Sequence, residues 1–128
     1  MKTIILAGGF GTRFSEETEK IPKPMIKIGN DPILIHLMNI YAKYEYTDFY
    51  LALGYKADLI NKFFLDQNYL LKNSNNKSKK ENPEICRMTN NYWNVSTVDT
   101  GIDTMTGGRV KRLKEYIGNE TFMLTYGD

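Results

Sequence analysis

The segment 8–13 combines three glycines with a threonine and an arginine, directly after a short apolar run. Because glycine has no Cβ, backbone N–H groups in such a turn can approach an anion closely, and the Arg13 guanidinium suits phosphate oxygens. Two better-known phosphate loops do not fit. Phe14 stands where a dinucleotide fingerprint needs glycine, and the Gly-Lys-Ser/Thr of a P-loop is missing. The segment therefore predicts either a phosphate site of another kind or a tight turn that needs glycine only for its backbone.

A lysine between two prolines follows this loop. Pro22 and Pro24 restrict the backbone on both sides of Lys23 and so limit the direction of its side chain. A lysine held in this way beside a phosphate loop would neutralise a phosphate as a point charge. Taken alone, such a segment is more often an extended surface stretch, so the interpretation depends on the neighbouring glycines.

A second stretch rich in glycine and threonine, 100–108, leads into a basic segment that is predicted to be a helix over 109–117. Backbone N–H groups at a helix N-terminus bind anions and polar ligand edges. Thr106 would equally serve as the capping residue of that helix, and the sequence does not separate the two interpretations. His36 and Cys86 lack partner motifs, and we interpret them as a satisfied or surface histidine and a packing residue.

Short apolar runs and amphipathic segments alternate along the chain, and they must position these residues. The predicted elements are strands over 3–7 and 25–28, a helix that begins at Asp31-Pro32 with Asp31 as its cap, a strand over 49–53, a helix through 59–71, strands over 84–88 and 94–99, a helix over 109–117 and a strand over 121–125. This order predicts an α/β fold with a Rossmann-like, mostly parallel sheet flanked by helices. The segment 72–82 contains no apolar residue and is predicted to be a solvated loop.

Composition limits the classes of function. The chain has 128 residues, of which 41% are apolar, so it is one domain or part of one and can bury a core. A net charge of +2 is too mild to indicate nucleic-acid or membrane binding. The single cysteine excludes an intramolecular disulfide and, with no apolar run near the ~20 residues that span a bilayer, leads us to expect a cytoplasmic protein.

Asp128 follows the last predicted strand. Ligands of open α/β sheets bind at the carboxyl ends of strands, which makes this carboxylate a candidate ligand-binding group. A complete domain would normally continue into a helix at this point. We therefore expect the chain to be only the N-terminal half of its domain.

Together, these motifs resemble the sugar-phosphate nucleotidyltransferases. The segment Leu6–Arg13 and the triplet Lys23-Pro24-Met25 match the signature of that family. Further stretches resemble its cytidylyl branch, and they are 15–18, 93–95, 98–101, 105–109 and 126–128. The chain departs from the family pattern at Asn30-Asp31, where a Gly-Lys pair is favoured.

The resemblance implies an enzyme that joins CTP and α-D-glucose 1-phosphate to give CDP-glucose and pyrophosphate, for CDP-dideoxysugar and O-antigen lipopolysaccharide synthesis. It implies Arg13 and Lys23 as catalytic residues and Asp128 as a ligand of Mg²⁺. The residues that it implies for nucleotide and substrate binding are Leu6, Ala7, Gly8, Gly9, Gly11, Thr12, Arg13, Lys23, Thr104, Thr106, Gly107, Gly108 and Arg109. Residues 1–128 would be the nucleotide-binding part of a single domain, inactive alone, and the full-length enzyme would be a homo-oligomer.

Alternatives remain at this stage. Relatives that use UTP or dTTP share the glycine loop, and so would a non-catalytic nucleotide-binding module. A dinucleotide-dependent oxidoreductase is disfavoured by Phe14 and by the lack of an acid that ends the strand over 49–53. No Ser-His or Cys-His pairing suggests a covalent nucleophile, so cations that screen and align two anions would carry the chemistry.

Overall fold

The computed structural model describes residues 1–7, 21–54, 56–71, 85–101 and 106–127. In chain order the elements are β1 (Lys2–Leu6), a 3₁₀ turn (Lys23–Met25), β2 (Lys27–Ile28), β3 (Asp31–Pro32), α1 (Ile33–Ala42), β4 (Asp48–Leu53), α2 (Ala57–Asp66), β5 (Leu70–Leu71), β6 (Ile85–Thr89), β7 (Asn94–Asp99), α3 (Thr106–Ile117) and β8 (Phe122–Tyr126). The predicted α/β order is confirmed. The polar segment 72–82 lies outside the described residues.

The main sheet has the strand order β5-β6-β7-β4-β1-β8. Strands β7, β4, β1 and β8 are mutually parallel, whereas β6 and β5 extend one side in antiparallel pairing. The sheet is therefore mostly parallel, as predicted. The strand β1 lies between β4 and β8, at the point where the strand order reverses.

Helices cover both faces of the sheet, which accounts for the continuous apolar runs of β1 and β4. One apolar cluster joins α1 and α2 to the sheet, and its buried members include Leu34, Met38, Ile60, Phe64, Ile5, Phe49 and Leu51. A second cluster joins α3 to the other face through Leu113, Ile117, Ile4, Leu6 and Tyr50. Cys86 packs against the first cluster, which confirms its interpretation as a packing residue.

The predicted helix start at Asp31 is wrong. Asp31 and Pro32 form β3, which pairs with β2, and α1 begins at Ile33 without a side-chain cap. The hairpin makes a cap unnecessary, because the Ile33 N–H donates to the Ile26 carbonyl at 2.9 Å. His36 Nε2 lies 2.8 Å from the Ile28 carbonyl oxygen, so the exposed histidine is satisfied, as interpreted from the sequence.

The second predicted helix is also too long. The helix α2 ends at Asp66, and Asn68 adopts a positive φ of 68° that turns the chain away. Leu70 and Leu71 then form β5, which pairs with β6. Both leucines continue the apolar spacing of the helix, but their side chains are 70% and 60% exposed. The spacing alone therefore could not show where the helix ends.

Lys2 and Glu120 join the amino ends of β1 and β8. The Lys2 Nζ donates to Glu120 Oε1 at 2.6 Å. This hydrogen bond raises the pKa of Lys2 and lowers the pKa of Glu120. Because Glu120 lies two positions before β8, the contact joins β1 to β8 at the end opposite to the predicted ligand site.

Thr3 buries a hydroxyl for which the described residues provide no hydrogen-bond partner. We expect Thr3→Val to raise the free energy of unfolding by about 1 kcal/mol, because a methyl group of the same shape removes the desolvation cost of that hydroxyl. Urea denaturation of the chain measures the change. Thr97→Val is the matched control and should lower stability, since its hydroxyl donates to the Asn61 side chain. A Thr3→Val chain no more stable than wild type would show that the hydroxyl is satisfied.

Candidate functional site

The carboxyl ends of four parallel strands form one edge of the sheet. The strands β1, β4, β7 and β8 end at Leu6, Leu53, Asp99 and Tyr126. Because Leu6 is paired with both Ala52 and Tyr126, the segments after β1 and β8 begin side by side. Ligands of open α/β sheets bind at such an edge where the strand order reverses. The glycine-rich segment 8–13 begins two positions after β1, and Asp128 lies two positions after β8.

The backbones of β1 and β8 approach closely at this edge. The Gly127 N–H donates to the Leu6 carbonyl, and the Ala7 N–H donates to the Ala52 carbonyl, both at 2.9 Å. A Cβ at position 127 would lie 3.2 Å from Ala7 Cβ and from Ile5 Cγ2, so the close approach favours glycine. Of the predicted binding residues, Leu6 and Ala7 have buried side chains. What they can offer to a ligand is therefore backbone.

Lys23 lies in a short hydrogen-bonded turn between two buried prolines. It begins the 3₁₀ turn, in which the Met25 N–H donates to the Pro22 carbonyl at 2.8 Å. Pro22 and Pro24 are both buried, and Met25 packs against the apolar cluster that contains α1. The two prolines thus flank a hydrogen-bonded turn, and the stiffening of this segment stays a prediction. The phosphate contact of Lys23 remains a prediction, as does that of Arg13, which lies outside the described residues with 8–12.

Leu53, Thr100 and Arg109 form a buried polar cluster at the same edge, which we call the edge cluster. The Leu53 carbonyl accepts bonds from the Thr100 N–H and hydroxyl, each at 2.8 Å. Arg109 Nη1 donates to the Thr100 hydroxyl oxygen at 2.7 Å and to the Leu53 carbonyl at 3.2 Å. Burial lowers the pKa of Arg109, whereas the nearby Asp99 carboxylate acts in the opposite direction.

The edge cluster was not predicted from the sequence. Arg109 was expected to line the nucleotide, but its side chain is only 5% exposed and bonds to protein atoms. The role in nucleotide binding is thus still a prediction. Thr100 was placed in a loop and given no role. The available signal was a threonine directly after the strand over 94–99, nine positions before an arginine.

The helix α3 begins earlier than predicted. It starts at Thr106, so Thr106, Gly107 and Gly108 belong to its first turn and not to the preceding loop. Thr106 is thus a helical residue and not a cap outside the helix. Since Arg109 reaches the Leu53 carbonyl, this first turn lies near the carboxyl edge of the sheet. Gly107 is exposed there, whereas Thr104 lies outside the described residues.

The described residues do not by themselves supply a metal site. Within the described ranges, no group of three His, Cys, Asp or Glu residues is placed to hold a metal ion. Asp99 is exposed at the edge, where its Oδ1 accepts the Gly101 N–H at 3.0 Å. Asp128 lies outside the described residues, so its role as a Mg²⁺ ligand rests on the sequence. In the part of the chain that the structure describes, no helix has the length and apolarity to cross a membrane.

Comparison with known proteins gives consistent results. Residues 2–91 match the family model described as nucleotidyl transferase. The whole chain aligns at 46% identity with a Bacillus subtilis protein named "Probable glucose-1-phosphate cytidylyltransferase" and covers 50% of it. It aligns at 43% identity with the "Glucose-1-phosphate cytidylyltransferase" of Salmonella typhimurium, again over 50% of that protein. The chain thus spans about half the length of the curated relatives that it matches.

A solved structure shows the same fold. The protein HddC from Yersinia pseudotuberculosis, complexed with GMP-PN, aligns with a TM-score of 0.69 and 29% sequence identity. The alignment covers 99% of this chain and 47% of that chain.

Proposed function

The chain belongs to the nucleotidyl transferase family, and from this premise we propose that it forms the CTP-binding half of an enzyme that makes CDP-glucose. The reaction joins CTP and α-D-glucose 1-phosphate and releases pyrophosphate. One observation carries the proposal: the central strand β1 ends at the carboxyl edge where the strand order reverses, and the glycine-rich segment follows it in the sequence. The likeness to two glucose-1-phosphate cytidylyltransferases over the whole chain supports the choice of substrates.

The proposed reaction is a displacement at phosphorus. A phosphate oxygen of glucose 1-phosphate attacks the α-phosphorus of CTP, the bond from that phosphorus to the bridging oxygen breaks, and pyrophosphate leaves. Because both reactants are anions, they must be screened and aligned. We assign the screening to Arg13 and Lys23, and the cradling of phosphates to backbone N–H groups of Gly8, Gly9 and Gly11 with Thr12. The buried prolines beside Lys23 support this assignment, because they reduce the freedom of its backbone.

The second part of the proposed nucleotide site is the segment 104–109. The first-turn N–H groups of α3, from Thr106, Gly107 and Gly108, lie near the carboxyl edge and would face a polar or anionic part of CTP. The exposure of Gly107 is consistent with a close approach of ligand to backbone. Mg²⁺ is proposed as the cofactor, with Asp128 as one ligand, and it would supply charge screening for the phosphates.

We also propose a setting for the reaction. CDP-glucose would enter CDP-dideoxysugar and O-antigen lipopolysaccharide synthesis, and the enzyme would be a cytoplasmic homo-oligomer. We propose CTP and glucose 1-phosphate as its partners, and the net charge of +2 is too mild to indicate nucleic acid or a membrane.

The test of base choice uses an extended chain, defined as this chain followed by the second half of the Bacillus relative. We expect pyrophosphate release with glucose 1-phosphate to be at least about tenfold faster with CTP than with UTP, dTTP, ATP or GTP, because base recognition rests on hydrogen bonds that other bases leave unmade. Chelation of Mg²⁺ should stop the reaction. The 128-residue chain alone should give no transfer.

Each other outcome rejects a defined part of the proposal. A preference for UTP or dTTP would keep the sugar nucleotidyltransferase and reject the cytidylyl assignment. No release with any nucleotide would favour the non-catalytic module. Equal rates for the chain with and without its extension would show that the second half is dispensable.

A further inference from the structure

A line of exposed, largely apolar side chains runs along the outer surface of α1 and onto the hairpin of β2 and β3. We call it the α1 stripe, and its members are Ile28, His36, Ile40 and Tyr44. Ile28, Ile40 and Tyr44 are 60%, 54% and 71% exposed, and His36 is exposed between them. The opposite side of α1 packs on the sheet. A surface helix normally presents polar side chains to solvent, so the stripe indicates a surface that a partner covers.

The spacing of the stripe is that of a helix-packing ridge. His36 and Ile40 are four residues apart in α1, and Tyr44 follows at the same spacing in the turn that closes the helix. Residues four apart form a continuous ridge, and two such ridges pack into each other's grooves with the helix axes about 50° apart, the commonest packing in globular proteins. Ile28 extends the ridge, because its carbonyl oxygen lies 2.8 Å from His36 Nε2. The stripe is therefore shaped to receive another helix of the same kind.

The backbone beneath Tyr44 is held in place. The Tyr44 N–H donates to the Tyr41 carbonyl at 3.0 Å, and the Glu45 N–H donates to the Ala42 carbonyl at 2.9 Å. Glu45 has a φ of 68°, which ends the helical turn directly after the tyrosine. A group that is already held loses little conformational entropy on binding, and tyrosine is among the residues that contribute most at protein interfaces. Tyr44 therefore suits a specific contact.

Charge indicates which partner fits the stripe. Exposed Lys27 and Asp31 lie at one end, and exposed Lys43 and Glu45 lie at the other. Each end thus has one charge of each sign, which suits neither a polyanion nor a strongly charged protein. A second copy of the chain, turned end to end, can supply an opposite charge for each of these four groups. We propose that two copies of this chain pack α1 against α1 through the α1 stripe, around a two-fold axis at Ile40.

The two-fold axis defines the contacts. Ile40 faces its own counterpart, and Tyr44 of one copy faces His36 of the other, so each contact away from the axis occurs twice. The apolar area of Ile40 and Tyr44 that is now in water would be buried, which supplies the driving force. The charged ends would form the rim, where ion pairs contribute little to affinity. The proposal names a surface for the proposed homo-oligomer, and it is independent of the proposed reaction.

Mass in solution tests the surface. Sedimentation equilibrium of the 128-residue chain should show a dimer, and Ile40→Glu should weaken its Kd at least about 30-fold, because two carboxylates meet in place of two apolar groups. Tyr44→Ala should weaken the Kd at least about tenfold. Leu59→Glu is the matched control, since Leu59 is a 42% exposed leucine of α2, and it should leave the Kd unchanged. Ile40→Glu should also lower the mass of the extended chain in solution.

Opposite charges at position 40 test the two-fold axis. Chains with Ile40→Glu and chains with Ile40→Lys should each be monomeric where the wild type is a dimer. An equimolar mixture should form a mixed dimer, because the two side chains face each other across the axis. Circular dichroism should show that both variants fold, since the Ile40 side chain is largely in water. Tyr44→Ala keeps the test decisive if either variant does not fold.

Four results would overturn the proposal. They are a wild-type 128-residue chain that stays monomeric, a dimer whose Kd is unchanged by both Ile40→Glu and Tyr44→Ala, and a mixture of the two charged variants that stays monomeric. The fourth is an extended chain whose mass does not respond to Ile40→Glu, which would show that its second half or another surface replaces this contact. Pyrophosphate release decides the proposed reaction separately.

Discussion

Replacing Arg13 or Lys23 with alanine is expected to lower CTP-dependent pyrophosphate release by the extended chain about 10²- to 10³-fold. Each side chain would place positive charge where two polyanions meet, and charge placed in advance contributes most in the transition state. The loss should appear mainly in kcat. For Lys23 the expectation is supported by its buried proline neighbours, since a group held in place gives more stabilisation than one that must be ordered first.

Lys27→Ala supplies the control for charge and folding. Lys27 is an exposed lysine of β2, four positions from Lys23, so its removal changes the net charge equally. It should retain the wild-type rate. The Lys23 and Arg13 variants should unfold at nearly the wild-type urea concentration, because neither side chain adds an apolar group to the core. Wild-type turnover after removal of both Arg13 and Lys23 would eliminate the phosphate-clamp mechanism.

Gly127→Ala is expected to lower the free energy of unfolding by about 1 to 3 kcal/mol, the usual cost of overpacking. The added Cβ would lie 3.2 Å from Ala7 Cβ and from Ile5 Cγ2, and 3.4 Å from the Leu6 carbonyl oxygen. Those neighbours belong to the central strand and the residue after it, so β8 or that segment must shift by a few tenths of an ångström. Urea denaturation of the chain measures the change.

Gly107→Ala is the matched substitution for stability. An added Cβ there meets no atom within 4 Å, and the residue lies in α3. Alanine is favoured over glycine by roughly 0.5 to 1 kcal/mol in a helix interior and by less in a first turn, so this variant should be as stable as wild type or slightly more stable. A Gly127→Ala chain as stable as wild type would mean that β8 can shift without cost. The close approach would then place no constraint on the residue that follows Gly127.

The arrangement of the sheet could be predicted because its determinants are local. The runs over 3–7 and 49–53 are apolar on both faces, which is typical of parallel strands covered by helices. Helix boundaries were predicted less well. Asp31-Pro32 has the composition of a helix start, but the Ile26 carbonyl supplies the hydrogen-bond partner that a cap would have provided. That carbonyl belongs to a segment outside the helix, and the residues of the helix itself do not predict the contact.

A candidate site could be proposed from the sequence for the same physical reason. Glycines after a strand and prolines around a lysine restrict or free the local backbone, and a short segment of sequence is enough to recognise them. The edge cluster depends on a contact between the ends of two strands and a helix, so it becomes visible only when Leu53, Thr100 and Arg109 are placed together. An arginine beside two glycines predicts a ligand contact, and here its Nη1 donates to Leu53 and Thr100 inside the protein.

The central position of β1 also constrains the order in which the chain can assemble. Lys2 pairs with Asp48 on one side and with Phe122 on the other, so β1 is synthesised long before either neighbour. Pairings between distant segments require costly loop closure and form slowly. During translation, both edges of β1 stay unpaired until β4 emerges, and the second edge stays open until β8 follows. Among the described strands, the pairing of β1 with β8 is therefore the last to become possible, so a nascent chain can pair β1 with β4 before the carboxyl edge between β1 and β8 forms.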